Sequence, residues 1–170
     1  MEATELCPVT KLLTLSGILF GVPGEDKTSA LVAAIERIQL PDGVSRDLTI
    51  EEILRREELA STGIGQGVAL PHPQNVAALQ MPESALSLIF LQQPVDFGAP
   101  DGLPVQALFV ILSRDPGHHR RLLALLGRTL QNPEIQEALA RQLPQDEILA
   151  VFSRVETALH ERQQTAAAPR

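Results

Sequence analysis

The stretch LASTGIGQGVALPHPQ, residues 59–74, contains the features around which the rest of the chain is organised. Glycines stand at three alternate positions, Gly63, Gly65 and Gly67. Because glycine has no Cβ and accepts positive φ, such a segment can turn its backbone N–H groups toward a small anion or another protein. The same spacing also suits a tight turn between a helix and a strand, so the glycines alone indicate a candidate site without defining it.

A single histidine, His72, follows this glycine-rich segment. The apolar residues 68–70 predict a short buried strand before it, and Pro71 and Pro73 restrict the backbone on either side. A stiffly presented imidazole at the end of a strand suits a group that must meet a reaction partner. The alternative is a surface histidine with no chemical role, and the neighbouring glycines and prolines favour the site.

Length and composition predict one globular domain. The chain has 170 residues, of which 44% are hydrophobic, enough for one well-buried core and too few for two comfortable domains. We expect the domain to span residues 1–162 and the small, polar residues 163–170 to form a disordered tail. A net charge of −7 and the lack of a run of basic residues argue against a nucleic-acid partner.

The N-terminal region predicts a cytoplasmic protein without membrane insertion. Glu2 and Glu5 make the first residues acidic where a signal peptide would be basic, and the apolar segment 12–22 is too short and interrupted to span a bilayer. Cys7 is the only cysteine, which excludes an internal disulfide and suggests a reducing compartment.

Apolar periodicity predicts strands and helices in succession. Strands are predicted at 12–22, 68–70, 85–91 and 105–112, and helices at 30–39, 49–58, 118–131, 133–141 and 145–161. The third and fourth strands are nearly continuous apolar runs, which suit central strands lying side by side or one strand apart. Asp26 or Thr28 is expected to cap the first helix, and Thr49 with Glu52 has the form of a capping box for the second.

A second histidine lies near the start of a predicted helix. At about 100° per residue, His119 falls within roughly 40° of the line through Leu123, Leu126 and Leu130, whereas His118 points about 100° away. His119 is therefore expected to face the interior, beside the positive end of the helix, where it can lie next to an anion site. A helix-terminal histidine satisfied by a backbone carbonyl is the alternative.

Other kinds of site fit the sequence less well. The glycine spacing lacks the last glycine or lysine of nucleotide-binding loops, and a strand rather than a helix follows it. The adjacent His118 and His119 diverge on a helix, so no metal and no cofactor is expected. Ser61 stands near the histidine, but the nucleophile-elbow pattern is absent.

The charged residues 51–58 are interpreted as a solvated helix face, including the glutamates at 51, 52, 57 and 58. Arg56 is the exception, because it lies a few residues before the glycine-rich segment and can reach an oxyanion there.

Three segments of the sequence resemble those of a known protein family. The run REELASTGIGQGVALPH resembles the phosphorylation-site motif of the fructose–mannitol type of enzyme IIA, from the bacterial phosphoenolpyruvate-dependent phosphotransferase system and its nitrogen-related regulatory branch. VDFGAPDGLPVQALFVIL and HRRLLALLGRTLQNPEI resemble the family's strand-turn-strand segment and the helix with its second histidine. The resemblance covers 49–152. It implies an α/β fold with a mixed sheet of about five strands and helices on both faces.

The resemblance also implies a role for each candidate residue. His72 would accept a phosphoryl group from the histidine-containing phosphocarrier protein, His119 would hydrogen-bond that group, and Arg56 would balance its charge. The phosphoryl-binding loop would comprise Thr62, Gly63, Gly65 and Gly67. The group would then pass to an enzyme IIB, or its presence would regulate a target protein.

Three residues depart from the family pattern. Pro73 and Gln66 stand where glycine and asparagine are usual, and Arg120 replaces a residue that is often apolar. Two functions therefore remain. The first is a phosphocarrier or phosphorylation-dependent regulator, and the second is a non-phosphorylated binding module that regulates a transporter or another partner. The joint presence of both histidines and Arg56 favours the first, and the absence of an attached membrane or sugar-phosphorylating domain leads us to expect regulation rather than transport.

Overall fold

The computed structural model describes residues 9–168, so Cys7 and the acidic N-terminal residues lie outside the described part of the chain. The helices are α1 (Val9–Ser16), α2 (Lys27–Arg37), α3 (Arg46–Leu59), α4 (Pro116–Thr129), α5 (Pro133–Ala140) and α6 (Gln145–Ala167). The strands are β1 (Ile18–Val22), β2 (Gly63–Gly65), β3 (Val68–Ala69), β4 (Ala85–Val95) and β5 (Val105–Leu112). A short 3₁₀ helix, Val76–Leu79, follows β3.

The five strands form one mixed sheet in the order β1-β4-β5-β3-β2. β4 pairs with β5 in antiparallel fashion, while β1 joins β4 and β3 joins β5 in parallel. The structure therefore confirms the mixed α/β fold and places the two longest apolar runs side by side at its centre. Between residues 9 and 168, no helix is both long and apolar enough to cross a membrane.

Both faces of the sheet are covered, which explains why the central strands are apolar at nearly every position. On β4, Leu88 and Phe90 belong to the core beneath α1, α4, α5 and α6, whereas Ile89 and Leu91 belong to the core beneath α2 and α3. Successive side chains on a strand point to opposite faces, so one continuous apolar run supplies both cores. The site described below lies at the edge where β3 ends.

The first predicted strand was wrong over its N-terminal half. Residues Val9–Ser16 form a helix, in which Val9, Leu12 and Leu13 are buried at helical spacing. Gly17 ends it with a φ of 92°, and its N–H donates to the Leu13 carbonyl at 2.8 Å. The first buried residue of this helix, Val9, lies three residues before the segment 12–22. That segment therefore contains only part of the helical pattern, and the apolar residues of β1 follow it after one glycine.

The second predicted helix starts earlier than expected, and its capping box was wrong. Ser45 is the N-cap of α3, and its side chain accepts a hydrogen bond from the Leu48 N–H at 3.2 Å. Thr49 is buried inside the helix instead of capping it. In α2 the expected cap is confirmed, because the Asp26 side chain accepts from the Ser29 N–H at 2.7 Å.

The glycine-rich segment is a β-hairpin, which sequence analysis did not predict. β2 pairs with β3 in antiparallel fashion, and Gln66 and Gly67 connect them with φ values of 56° and 75°. Positive φ at both central residues is the signature of a two-residue turn that matches strand twist. The glycines therefore provide, first of all, a tight reversal of the chain.

The ends of β4 and α6 also differ from the prediction. β4 continues through the exposed residues 92–94 to Val95, because Val95 still pairs with Val105 on β5. α6 continues to Ala167, so residues 163–167 are helical where a disordered tail from 163 was expected. The sequence QQTAA contains good helix formers, and an exposed helix can extend through them without burying anything.

Gly24 provides a test of the packing between β1 and α2. A Cβ at Gly24 would lie 2.5 Å from the Cα of Ala30, so Gly24→Ala should lower the free energy of unfolding by about 1–3 kcal/mol. Gly127 in α4 has nothing within 4 Å of such a Cβ, and Gly127→Ala should raise that free energy by about 0.5–1 kcal/mol. Urea denaturation of both variants checks the pair, and equal effects would contradict the close approach.

Candidate functional site

His72 lies three residues after the end of β3, in a segment held by hydrogen bonds on both sides. The Pro71 carbonyl accepts a hydrogen bond from the Ile111 N–H of β5 at 2.9 Å. On the other side, the Asn75 N–H donates to Oε2 of Glu52 in α3 at 2.7 Å. The histidine is therefore held between the sheet and α3, and Glu52 serves as this anchor instead of capping a helix.

The His72 ring makes one hydrogen bond that defines its chemical form. Nδ1 lies 2.7 Å from the carbonyl oxygen of Leu70. Since a carbonyl oxygen only accepts, Nδ1 carries the proton, and Nε2 of the neutral ring keeps a free lone pair. Burial lowers the pKa of His72, and the charge of Arg56 adds to this, whereas the Leu70 carbonyl and Glu57 act in the opposite direction. The neutral ring is therefore the main form near pH 7.

His119 faces His72, with their ring centroids 4.8 Å apart and their planes inclined at 48°. Its side chain is buried, and its Nδ1 lies 3.1 Å from Oγ of Ser113. Burial is the main cause that lowers the pKa of His119 to about 4, followed by the positive charges of protonated His72, Arg120 and Arg56. Two neutral imidazoles therefore lie in contact at pH 7, with their planes tilted relative to each other.

His118 points away from this pair, as the helical period predicts. Its Nδ1 lies 2.7 Å from Oδ2 of Asp115, the N-cap of α4, and its side chain remains partly exposed. The orientation of His119 toward the interior is confirmed by its burial. One residue along the helix thus separates a histidine inside the site from one outside it.

Arg56 lies in the last turn of α3, and its Nη1 donates to the Ala60 carbonyl at 2.8 Å. Its positive charge contributes to lowering the pKa of both histidines. Arg56 also borders a surface cavity of about 270 Å³, and His72, the predicted phosphoryl acceptor, lies in its wall. The cavity is lined by Arg56, Ser61, Thr62, Gly63, Ile64, Leu70, His72 and Leu123.

The predicted phosphoryl-binding loop is divided by the structure. Thr62 and Gly63 line the cavity, whereas Gly65, the last residue of β2, and Gly67, in the turn, do not. A Cβ at Gly65 would lie 3.0 Å from Oδ2 of Asp101, and the same oxygen accepts from the Gln66 N–H at 2.8 Å. That N–H is therefore occupied within the protein and does not face the cavity.

Glu57 was not predicted to be a site residue, because it was expected, together with Glu52, on a solvated helix face. Both side chains are buried, with 4% or less of their surface exposed. With Thr49 and Ile53 they occupy the inward stripe of α3 at spacings of three and four residues. The helical spacing of these four positions could have indicated that both glutamates face the interior. The expectation that glutamate side chains are solvated led to the opposite prediction.

The arrangement of sheet and helices defines the class of protein. The crystal structure of the nitrogen regulatory protein IIA-Ntr from Neisseria meningitidis superposes with a TM-score of 0.72 and 29% sequence identity, covering 85% of this chain and 98% of that one. The chain is thus an α/β protein with the enzyme IIA fold.

The family follows from the sequence match. Residues 11–155 match the family described as "Phosphoenolpyruvate-dependent sugar phosphotransferase system, EIIA 2", and the chain belongs to it. A nitrogen regulatory protein from Pseudomonas aeruginosa is 35% identical over 143 residues, covering 82% of this chain and 90% of that protein. A fructose-specific EIIA component from Haloferax volcanii is 28% identical over 161 residues, covering 89% and 99%. Family members are phosphotransferase components, which supports a general role in phosphoryl transfer.

The pKa of His119 predicts a loss of stability in mild acid. The unfolded chain binds a proton near pH 6.5 and the folded chain only near pH 4, so the stability present above pH 6.5 is lost as the pH falls through this interval. Between pH 7.5 and 4.5, wild type should lose about 2–3 kcal/mol more unfolding free energy than His119→Gln. Urea midpoints at each pH provide the measurement. His160→Gln, at an exposed position on α6, is the control and should follow wild type.

Proposed function

We propose that the protein is a phosphocarrier that accepts a phosphoryl group on Nε2 of His72 from the histidine-containing phosphocarrier protein. The observation that carries this proposal is the Nδ1 contact with the Leu70 carbonyl, which leaves Nε2 as the free nucleophile. The facing ring of His119 and the bordering charge of Arg56 support it. A neutral imidazole is a competent nucleophile near pH 7.

The transfer balances without any further reactant. The Nε2 lone pair of His72 attacks phosphorus, the bond between phosphorus and the donor's ring nitrogen breaks, and its electron pair returns to that nitrogen. Each imidazole retains the proton on its other nitrogen throughout. For His72 that proton is the one held by the Leu70 carbonyl. The donor is left neutral, and the phosphoryl charge is now on this protein.

The remaining requirement is to position the group and stabilise its charge. His119 contributes the imidazole next to His72, and because its Nδ1 is engaged by Ser113, its Nε2 is the nitrogen left to contact the phosphoryl group. Arg56 contributes a guanidinium, the side chain best suited to paired phosphoryl oxygens. The N–H of Gly63 does not take part in this proposal, because it donates to Oγ of Ser61 at 3.0 Å.

Apolar side chains around the cavity provide a surface for the donor protein. Ile64 is 45% exposed on the hairpin, and Leu123 is partly exposed on α4, so both border the cavity from opposite elements. Val68 and Leu70 are buried in the core, as the predicted strand requires, and Leu70 also forms part of the cavity lining. Apolar contacts around the histidine would let the donor dock and would exclude water from the transfer.

We further propose that the phosphorylation state regulates a target protein or is passed to an enzyme IIB. The Pseudomonas aeruginosa relative named as a nitrogen regulatory protein matches over 90% of its own length, which supports the regulatory branch. A cytoplasmic location, expected from the N-terminal sequence, suits both kinds of recipient.

Intact-mass analysis after incubation with phosphoenolpyruvate, enzyme I and the phosphocarrier protein tests the proposal. Wild type should gain one acid-labile phosphoryl group, and His72→Ala should gain none, because the nucleophile is missing. A folded wild-type protein that stays unmodified with several cognate phosphocarriers would contradict the proposal and favour the non-phosphorylated binding module. In that case Pro73→Gly is the first variant to test.

Replacing His119 and its neighbour His118 in turn tests the role of His119 beside His72. His119→Ala should slow phosphorylation of His72 by about 10- to 100-fold, because a group that stabilises the moving phosphoryl is lost, while His72 remains the labelled residue. His118→Ala should leave the rate within about twofold, since its ring is bound to Asp115 outside the site. Quenched time courses give both rates. A larger effect at His118 would show that the wrong histidine has been assigned.

A further inference from the structure

Glu57 is a buried carboxylate close to the site, and no role has yet been assigned to it. It lies near the end of α3 with 4% of its surface exposed. Burying an ionised carboxylate is costly unless it is paired and hydrogen-bonded. Its neighbour Glu58 is exposed to solvent, so the chain places one of two consecutive glutamates inside the protein.

Both oxygens of this carboxylate are engaged. Oε1 accepts from the Thr62 N–H at 3.0 Å and lies 3.5 Å from Nζ of Lys27, while Oε2 accepts from the Thr62 hydroxyl. The Lys27 side chain is 34% exposed, so its end of the contact meets solvent. Glu57 therefore holds Thr62, the residue just before the β2–β3 hairpin, by two hydrogen bonds.

The contacts continue from Thr62 to the reactive ring. The Thr62 carbonyl accepts from the Leu70 N–H at 3.0 Å, and the Leu70 carbonyl accepts from Nδ1 of His72 at 2.7 Å. A continuous series of hydrogen bonds thus joins the buried carboxylate to the imidazole across the two strands of the hairpin.

We propose that Glu57 is a positioning residue for His72, acting through Thr62 to hold the Leu70 carbonyl where it selects the Nδ1–H tautomer. The importance of this tautomer for phosphoryl transfer rests on the proposed function. The positioning itself does not, because it concerns the unphosphorylated ring. Glu57 does not line the cavity that His72 borders, so its effect is indirect.

The negative charge of Glu57 adds a second effect. The groups that face the His72 ring are His119 and Arg56, and burial together with Arg56 lowers its pKa. Glu57 opposes these influences and raises the pKa. A neutral residue with the same hydrogen bonds would hold the hairpin but would not supply this field.

The experiment compares Glu57→Ala with Glu58→Ala in the full chain. Each variant loses one carboxylate, and the two positions are adjacent, so Glu58→Ala is the matched control. Nitrogen-15 NMR of the His72 ring reports the tautomer without phosphorylation, and a quenched time course reports the rate of phosphoryl acceptance. Glu57→Ala should shift the ring toward the Nε2–H form and slow acceptance by about 10- to 100-fold, because a displaced reacting group costs rates of this order. Glu58→Ala should match wild type in both measurements.

Glu57→Gln separates position from charge. The amide can accept from the Thr62 N–H and donate to its hydroxyl, so the Nδ1–H tautomer should persist. The titration midpoint of His72 should fall, because the negative charge that raised it is gone. A midpoint that stays at the wild-type value would show that the charge of Glu57 does not act on the ring.

An Nδ1–H ring with a wild-type rate in folded Glu57→Ala would overturn the proposal. If Glu57→Ala fails to fold, Thr62→Val breaks the hydroxyl contact while keeping the carboxylate, and it should shift the tautomer and slow acceptance by about threefold to tenfold. An unchanged tautomer in Thr62→Val would likewise overturn it. If wild type is never phosphorylated but the tautomer shifts in Glu57→Ala, the positioning role stands and the phosphocarrier function fails.

Discussion

A single hydrogen bond, from Nδ1 of His72 to the carbonyl of Leu70, governs the chemistry available to this protein. It places the proton on one ring nitrogen and leaves the lone pair on the other, in a ring that lines the cavity and lies next to His119. A backbone carbonyl suits this purpose because it cannot donate and cannot change its protonation state. Several contacts around the site keep this carbonyl and this ring in place.

The position of His72 is fixed because the chain on each side of it is hydrogen-bonded to a different element. β5 holds Pro71 through a backbone hydrogen bond, and a buried glutamate of α3, Glu52, holds the chain after the ring. A second buried glutamate, Glu57, holds the start of the hairpin. α3 therefore acts less as an apolar packing element than as a polar clamp, and in the part of the chain that the structure describes every buried side-chain polar atom has a partner. Fully paired polar networks of this kind make the geometry around them rigid.

The local electrostatics differ from those of the molecule as a whole. The chain carries a net charge of −7, yet the groups around the histidine pair include Arg56 and Arg120, whose charges help to lower the pKa of His119. Burial is the larger cause, and it keeps both rings neutral. The result is a pocket that offers neutral nucleophilic nitrogen beside fixed positive charge, the combination that transfer of an anionic phosphoryl group requires.

Local pattern alone determined a good part of this protein. The apolar run that became β5 was predicted with its observed bounds, and the 3.6-residue period placed His119 inward and His118 outward, because side-chain direction follows from backbone geometry within one element. The tertiary structure decided the rest: the 4.8 Å approach of the two rings, the hairpin hydrogen bonds, and the burial of Glu57 beneath them. Each of these depends on a partner distant along the chain, and neither residue type nor period can reveal which distant group will satisfy a polar atom until the sheet and helices have packed together.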